Sequence, residues 1–124
     1  MHSIQSDKDV IRVFLFGKID AQSLYDAQTE LMLHPDYPFK NSLWVFDEGV
    51  ECNFSNLSFL DLISRIKLCY PISATKEKAA FIGFSNTLFA MMQFFCSEAE
   101  HEGLPFKLKA FRNHAQAEAW LADV

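Results

Sequence analysis

Three apolar runs constrain the fold of this chain most strongly. They cover residues 10–16, 43–46 and 79–84, and each is followed by a stretch in which apolar side chains recur at helical spacing. Strands that are apolar on both faces are typical of a sheet whose two sides are covered by helices. The alternation of such strands with helices therefore predicts an α/β fold with a largely parallel sheet.

The capping residues divide the chain further. Three helices have predicted N-caps, which are Asp20, Ser85 or Asn86, and Asn113. Gly103 suits the position after the helix that Ser85 or Asn86 caps. We predict strands at residues 10–19, 43–46, 79–84 and 106–112, with a short one at 4–5. The four predicted helices are a first one ending before Pro35, then 58–69, 86–102 and one after Asn113. The prediction is a single domain over residues 1–124, with a mostly parallel sheet of four to five strands and four helices.

The third predicted helix carries more apolar surface than one core contact requires. At about 100° per residue, its apolar side chains sweep an arc of roughly 160°, against a usual stripe of about 100°. Phe94 lies outside that arc, and Leu60 and Leu68 lie off the core stripe of the second predicted helix. This spare surface predicts contact with a second layer of protein, a partner subunit, an apolar ligand or a membrane surface.

Composition excludes several classes of protein. The net charge of −5 argues against a nucleic-acid-binding protein, which would carry a basic stripe. No apolar run approaches the roughly 20 residues of a membrane span, and residues 1–9 contain no apolar core of a signal peptide. Cys52, Cys69 and Cys96 are odd in number and lie in apolar surroundings, which indicates buried free thiols in a reducing compartment. We expect a cytoplasmic protein, with peripheral membrane contact as an alternative.

No motif for catalysis or metal binding is found. Asp47, Glu48 and Glu51 follow a predicted strand, where paired carboxylates could serve acid–base chemistry or hold a cation, but a solvated turn explains them as well. The four histidines are scattered without ligand spacing, so no metal and no cofactor are predicted. Cys96 would be a nucleophile only if a base approached it, and we favour an inert buried thiol. The sequence therefore predicts a non-enzymatic protein.

Three short signatures carry a resemblance to a known family. They are residues 16–20 and 45–47 at the exits of two predicted strands, and residues 110–113 followed by Ala117, Ala119, Trp120 and Leu121. With this element order, the chain resembles the SpoIIAA-like branch of the STAS superfamily, in particular its small stand-alone bacterial members. The resemblance implies a right-handed superhelix of βα turns with helices crowded on one side of the sheet. Related proteins act as regulatory or interaction modules, and a Sec14-like relative binds lipids, so the resemblance implies a role of this kind.

The resemblance singles out Ser58. Anti-sigma-factor antagonists of this superfamily carry an Asp-Ser-Ser-Gly segment whose serine is phosphorylated, and Ser58 stands at the matching place. Asn56 and Phe59 replace the Asp and the Gly, so the motif is incomplete. A helix cap at Ser58 or Ser55 is the simpler interpretation, and phosphorylation of Ser58 is the alternative.

These observations lead to one functional hypothesis and one alternative. We expect a non-enzymatic domain that binds an apolar or lipid-like ligand, or associates with a membrane surface, through its two apolar helices. The alternative is a regulatory module that docks a protein partner or forms a homodimer through the same surface. The predicted ligand-binding residues are Leu60, Ile63, Leu68, Phe89, Met91, Met92, Phe94 and Phe95.

Overall fold

The computed structural model describes residues 1–70, 74–75 and 78–123, without the side chain of Asn56. The strands are β1 (His2–Ser6), β2 (Val10–Leu15), β3 (Lys18–Asp20), β4 (Asn41–Phe46), β5 (Glu51–Asn53), β6 (Lys78–Gly83) and β7 (Lys107–Phe111). The helices are α1 (Ala21–Leu33), α2 (Asn56–Cys69), α3 (Asn86–His101) and α4 (His114–Ala122).

The main sheet has five strands in the order β1-β2-β4-β6-β7. β1 pairs antiparallel with β2, and every other neighbouring pair is parallel. The prediction of a mostly parallel sheet with four helices is confirmed, and β7 lies at an edge as its alternating lysines indicate.

Each face of the sheet buries its own core. Trp44 and Phe46 of β4 join the larger core beneath α1, α2 and α3, whereas Leu43 and Val45 join the smaller core beneath α4. Successive side chains of a strand point to opposite faces, so a strand covered on both sides is apolar throughout. This explains the continuous apolar runs of the sequence.

The structure also contains a second, two-stranded sheet, which the sequence did not predict. The predicted strand over residues 10–19 stops at Leu15, and the chain turns at Gly17, which has φ of 76°. Lys18–Asp20 then forms β3, which pairs parallel with β5. β5 lies in a stretch that we expected to be irregular. Three-residue strands are too short to show an alternating pattern, which is why the sequence does not predict this ribbon.

The predicted caps of α1, α3 and α4 are confirmed, whereas Ser58 lies inside α2 and is not its N-cap. Asp20 accepts a hydrogen bond from the backbone N–H of Ser23 at 2.8 Å, and Ser85 and Asn113 cap α3 and α4 in the same way. α2 begins at Asn56, with Ser55 as its N-cap. Pro71, which suits the end of α2, lies outside the described residues. Gly103 follows α3 with φ of 77°, the left-handed conformation expected after a helix.

Lys78 connects β6 to the C-terminal end of α4. This buried side chain donates a hydrogen bond from Nζ to the carbonyl oxygen of Trp120 at 2.7 Å, and a second to that of Asp123. Its ammonium also lies 5.2 Å from the centroid of the Trp120 ring. The positive charge thus satisfies carbonyl groups at the C-terminal end of α4, where the helix dipole is negative.

Candidate functional site

A small cavity lies between the sheet and helices α1, α2 and α3. Its volume is about 30 Å³, and its polar lining comes from Gln28, Tyr37 and Ser42. The remaining lining is apolar and includes Leu24, Trp44, Phe59, Met92 and Phe95. Because one water needs roughly 10–15 Å³ in this measure, the cavity has room for about one or two waters. An acyl chain does not fit without displacing core side chains.

The eight predicted ligand-binding residues do not form one pocket. Ile63, Met92 and Phe95 are buried in the core, and of the eight only Met92 and Phe95 line the small cavity. The half-buried residues are Phe89, Met91 and Phe94, and the exposed ones are Leu60 and Leu68. Ligand binding by this set therefore stays a prediction.

The two apolar helices are neighbours, as consecutive crossovers lead one to expect. The rings of Phe59 on α2 and Phe95 on α3 have their centroids 5.2 Å apart, with an angle of 59° between their planes. Further out, Lys67 Nζ and a carboxylate oxygen of Glu102 are 3.9 Å apart. The facing sides of α2 and α3 are thus filled by aromatic core, and any spare apolar surface lies on their outer sides.

Of the two apolar helices, α2 has the more exposed apolar side chains. Leu57 is 72% exposed, Leu60 36% and Leu68 86%, and we call these three residues the leucine face. At 100° per residue they fall within an arc of roughly 80°. On α3, by contrast, Phe89 is covered in part by the guanidinium of Arg112, whose carbon lies 4.6 Å from the ring centroid. The spare surface predicted for both helices is therefore concentrated on one.

A polar cluster at the α1–α2 contact borders the leucine face. The Tyr25 hydroxyl donates to Asp61 Oδ2 at 3.3 Å, and the guanidinium of Arg65 lies 4.2 Å from the Tyr25 ring centroid. The Ser58 side chain also lies beside Tyr25. Burial raises the pKa of the Tyr25 phenol, and the nearby Asp61 carboxylate adds to this shift. These contacts hold the N-terminal half of α2 against α1.

Ser58 lies inside this cluster and is only 9% exposed. Ser55 occupies the N-cap position of α2, although its side chain makes no capping hydrogen bond. A phosphate on Ser58 would require the hydroxyl to leave Tyr25 and reach solvent, because a buried dianion without a charged partner is costly. Phosphorylation of Ser58 stays a prediction.

The three acidic residues that follow β4 do not line the small cavity. Asp47, Glu48 and Glu51 are exposed, and Asp47 Oδ2 accepts a hydrogen bond from the backbone N–H of Gly49 at 3.4 Å, as in a solvated turn. Among the described residues, no three His, Cys, Asp or Glu side chains are grouped so that they could hold a metal ion. Within the same residues, no helix is both long enough and apolar enough to cross a membrane.

Two solved structures are similar to this arrangement over nearly its whole length. One is an uncharacterized protein of the DUF3478 family with a SpoIIAA-like fold from Shewanella loihica PV-4, at 16% identity and a TM-score of 0.57, covering 98% of this chain and 93% of that chain. The other is the anti-sigma factor antagonist SpoIIAA in its unphosphorylated form, at 9% identity and a TM-score of 0.58, covering 100% of both chains. The chain has a SpoIIAA-like fold. No family model matches it, and no curated protein sequence matches it either.

The three cysteines of this SpoIIAA-like fold differ in accessibility. Burial raises the pKa of the Cys52 thiol to about 11 and that of Cys96 to about 12, whereas Cys69 is exposed at the end of α2. Since the thiolate is the reactive form, we expect a disulfide reagent such as Ellman's reagent to modify Cys69 rapidly in the native protein, and the other two only after unfolding. Cys69→Ser should abolish the rapid phase. Rapid reaction of Cys96 in the folded protein would contradict the buried-thiol interpretation and revive Cys96 as a nucleophile.

Sequence reasoning missed two features of the site. The exposure of Leu57 was not predicted, although at helical spacing Leu57 falls on the same side of α2 as Leu60 and Leu68. The link from Tyr25 to Ser58 joins residues on different helices of the SpoIIAA-like fold, and no local pattern reports such a contact.

Proposed function

We propose that this chain is a non-enzymatic regulatory module that docks a protein partner through the leucine face of α2. The single observation that carries the proposal is the exposure of Leu57, Leu60 and Leu68 on one side of a helix whose other side is anchored in the core. Scattered exposed leucines are common on protein surfaces, but here three lie within one arc of one helix, with the small Ser64 between Leu60 and Leu68.

The leucine face has the anatomy of a protein interface. Phe59, Ile63 and Ile66 bury the opposite side of α2, so the face is presented by a rigid support. Charged groups of both signs, Asp61 and Lys67 among them, border the leucines and would form the polar rim that interfaces of this kind have. A partner helix or groove with apolar side chains would bury the leucines with little rearrangement of this chain.

A neighbour in fold supports this proposal. SpoIIAA is by name an antagonist of an anti-sigma factor, which is a role carried out on another protein. At 9% identity the likeness carries the fold alone, so the partner of this chain has to be established on its own.

Lipid or membrane binding is the alternative occupant of the leucine face. The cavity of about 30 Å³ is too small for a lipid-like ligand, which leaves only surface association for this hypothesis. The net charge of −5 gives no long-range attraction to anionic lipid, so the three leucines would have to supply the binding energy. A protein partner is the better fit to so small an apolar strip.

Site-specific photocrosslinking tests the proposal with a matched control. A photoreactive phenylalanine analogue is placed at Leu57 or Leu68 in cells that make the protein, and at Leu33 as the control. Leu33 is 80% exposed, close to the 86% of Leu68, but belongs to a different helix, α1. We expect one protein to be crosslinked from both α2 positions and not from Leu33.

Reconstitution with that purified protein completes the test. Leu68→Glu should weaken its binding by about tenfold or more, whereas Leu33→Glu should leave the dissociation constant unchanged. Equal effects of the two variants, or the lack of a shared crosslinked protein, would refute docking at the leucine face. Flotation with liposomes that is lost in Leu68→Glu and kept in Leu33→Glu would instead assign the face to membrane.

A further inference from the structure

The two edges of the main sheet differ in how they are protected. β7 carries Lys107 and Lys109 on its exposed positions, and such charges discourage pairing with another strand. β1 has the sequence HSIQS, without a lysine, an acidic residue or a proline. The β3–β5 ribbon has edges only three residues long, and these carry Lys18, Asp20 and Glu51. β1 is therefore the one edge without Lys, Arg, Asp or Glu among the strands that the structure describes, and its His2 pairs with Glu30 of α1.

The pairing of β1 with β2 shows which of its backbone groups are open. Met1 and Phe16 exchange two backbone hydrogen bonds, of 3.0 and 3.2 Å, and at the hairpin the N–H of Asp7 donates to the Val10 carbonyl at 2.8 Å. In an antiparallel pair every second residue bonds to the neighbouring strand. The N–H and C=O groups of residues 1, 3, 5 and 7 thus point towards β2. Those of His2, Ile4 and Ser6 point to the open edge. Among the described residues, no backbone hydrogen bond from another segment reaches these groups.

The outward-facing backbone groups of β1 can pair with those of a second copy of β1. If two copies of β1 run antiparallel about a two-fold axis at Ile4, residue 2 of one copy lies opposite residue 6 of the other, and Ile4 lies opposite its own copy. Every outward N–H then meets an outward C=O. The half-exposed Ile4 side chains would come together at the centre, so the contact also buries apolar surface.

We propose that β1 is the site at which a second copy of this chain adds to the sheet, giving one continuous sheet across a two-fold dimer. The lack of Lys, Arg, Asp and Glu in the strand, its open backbone groups and its central isoleucine carry the inference. The lysines of β7 favour β1–β1 pairing over open-ended β1–β7 pairing. This surface is separate from the leucine face, and the inference does not depend on the proposed function.

The proposed register makes a charge-exchange experiment possible. Ser3 of one copy lies directly opposite Gln5 of the other, and both side chains are exposed in the single chain. Ser3→Lys combined with Gln5→Lys would place like charges opposite each other twice and should weaken dimerisation roughly tenfold to thirtyfold. Ser3→Lys combined with Gln5→Glu would place opposite charges there and should restore or strengthen it. Sedimentation equilibrium measures the dissociation constants, and circular dichroism verifies that each variant is folded.

The outcomes separate this dimer from others. A wild-type chain that stays monomeric at every concentration reached would overturn the proposal. A dimer that stays intact in the Ser3→Lys, Gln5→Lys variant would overturn it as well. If Leu68→Glu splits that dimer, its interface is the leucine face. Rescue by the Ser3→Lys, Gln5→Glu pair is expected only for the antiparallel register centred on Ile4.

Discussion

Replacing Phe95 with alanine is expected to lower the free energy of unfolding by about 4 kcal/mol. Phe95 is 2% exposed, and the centroid of its ring lies 5.2 Å from those of both Phe59 and Phe81. It thus joins α2, α3 and the inner strand β6 in one aromatic cluster. Truncation would remove both ring contacts and leave a cavity that neighbouring rings cannot fill without leaving their rotamers. Unfolding by guanidinium chloride, followed by circular dichroism, gives the loss directly.

The adjacent residue supplies the control. Phe94 is half-buried beside Met91, at a shallow and open part of the surface, so Phe94→Ala should cost only about 1 kcal/mol. The two substitutions remove the same atoms from the same helix and differ only in the face affected. Similar losses for both would show that α3 is oriented differently from the structure described above.

Gly83→Ala is expected to destabilise the protein by about 3 kcal/mol, through crowding of the backbone. A Cβ at this position would come within 2.8 Å of the Leu88 carbonyl carbon and of the Phe89 backbone nitrogen. Both atoms belong to the first turn of α3, which crosses the end of β6 at this point and cannot yield as a flexible side chain would. Either the helix shifts off the sheet or the strand is displaced. The change in midpoint of denaturant unfolding measures the cost.

Gly49→Ala is the matched substitution for this experiment. A Cβ at Gly49 would meet only Asp47 Oδ2, at 3.8 Å, which is ordinary van der Waals contact in an exposed turn. We expect a change within about 0.5 kcal/mol. A loss at Gly49 as large as that at Gly83 would contradict the assignment of the Gly83 effect to close packing of α3 on β6, because reduced backbone freedom alone stabilises a chain.

The long elements could be predicted because each repeats one local signal many times. β4 is apolar at consecutive positions since it is covered on both faces, and α3 shows helical spacing between a Ser85 cap and Gly103. The β3–β5 ribbon could not be predicted, because three residues carry no period and their partner strand lies far along the chain.

The candidate site was harder to predict for a different reason. A helical wheel gives the direction of a side chain around its own axis, and says nothing of which neighbour covers it. Ile63 and Met92 were expected at a ligand surface and lie in the core, while Leu68 was correctly expected off the core stripe. Ser58 is buried, and it lies beside Tyr25 of α1. Such contacts follow from the assembled fold and leave no trace in the local sequence.

The ammonium of Lys78 links two segments that are made at different times during synthesis. Its carbonyl acceptors, at Trp120 and Asp123, follow it by 42 and 45 residues along the chain. Before residues 120–123 are made, the ammonium at the start of β6 lacks these acceptors, and a cation without them is costly to bury. Deletion of residues 120–123 would therefore weaken an inner strand of the sheet as well as α4.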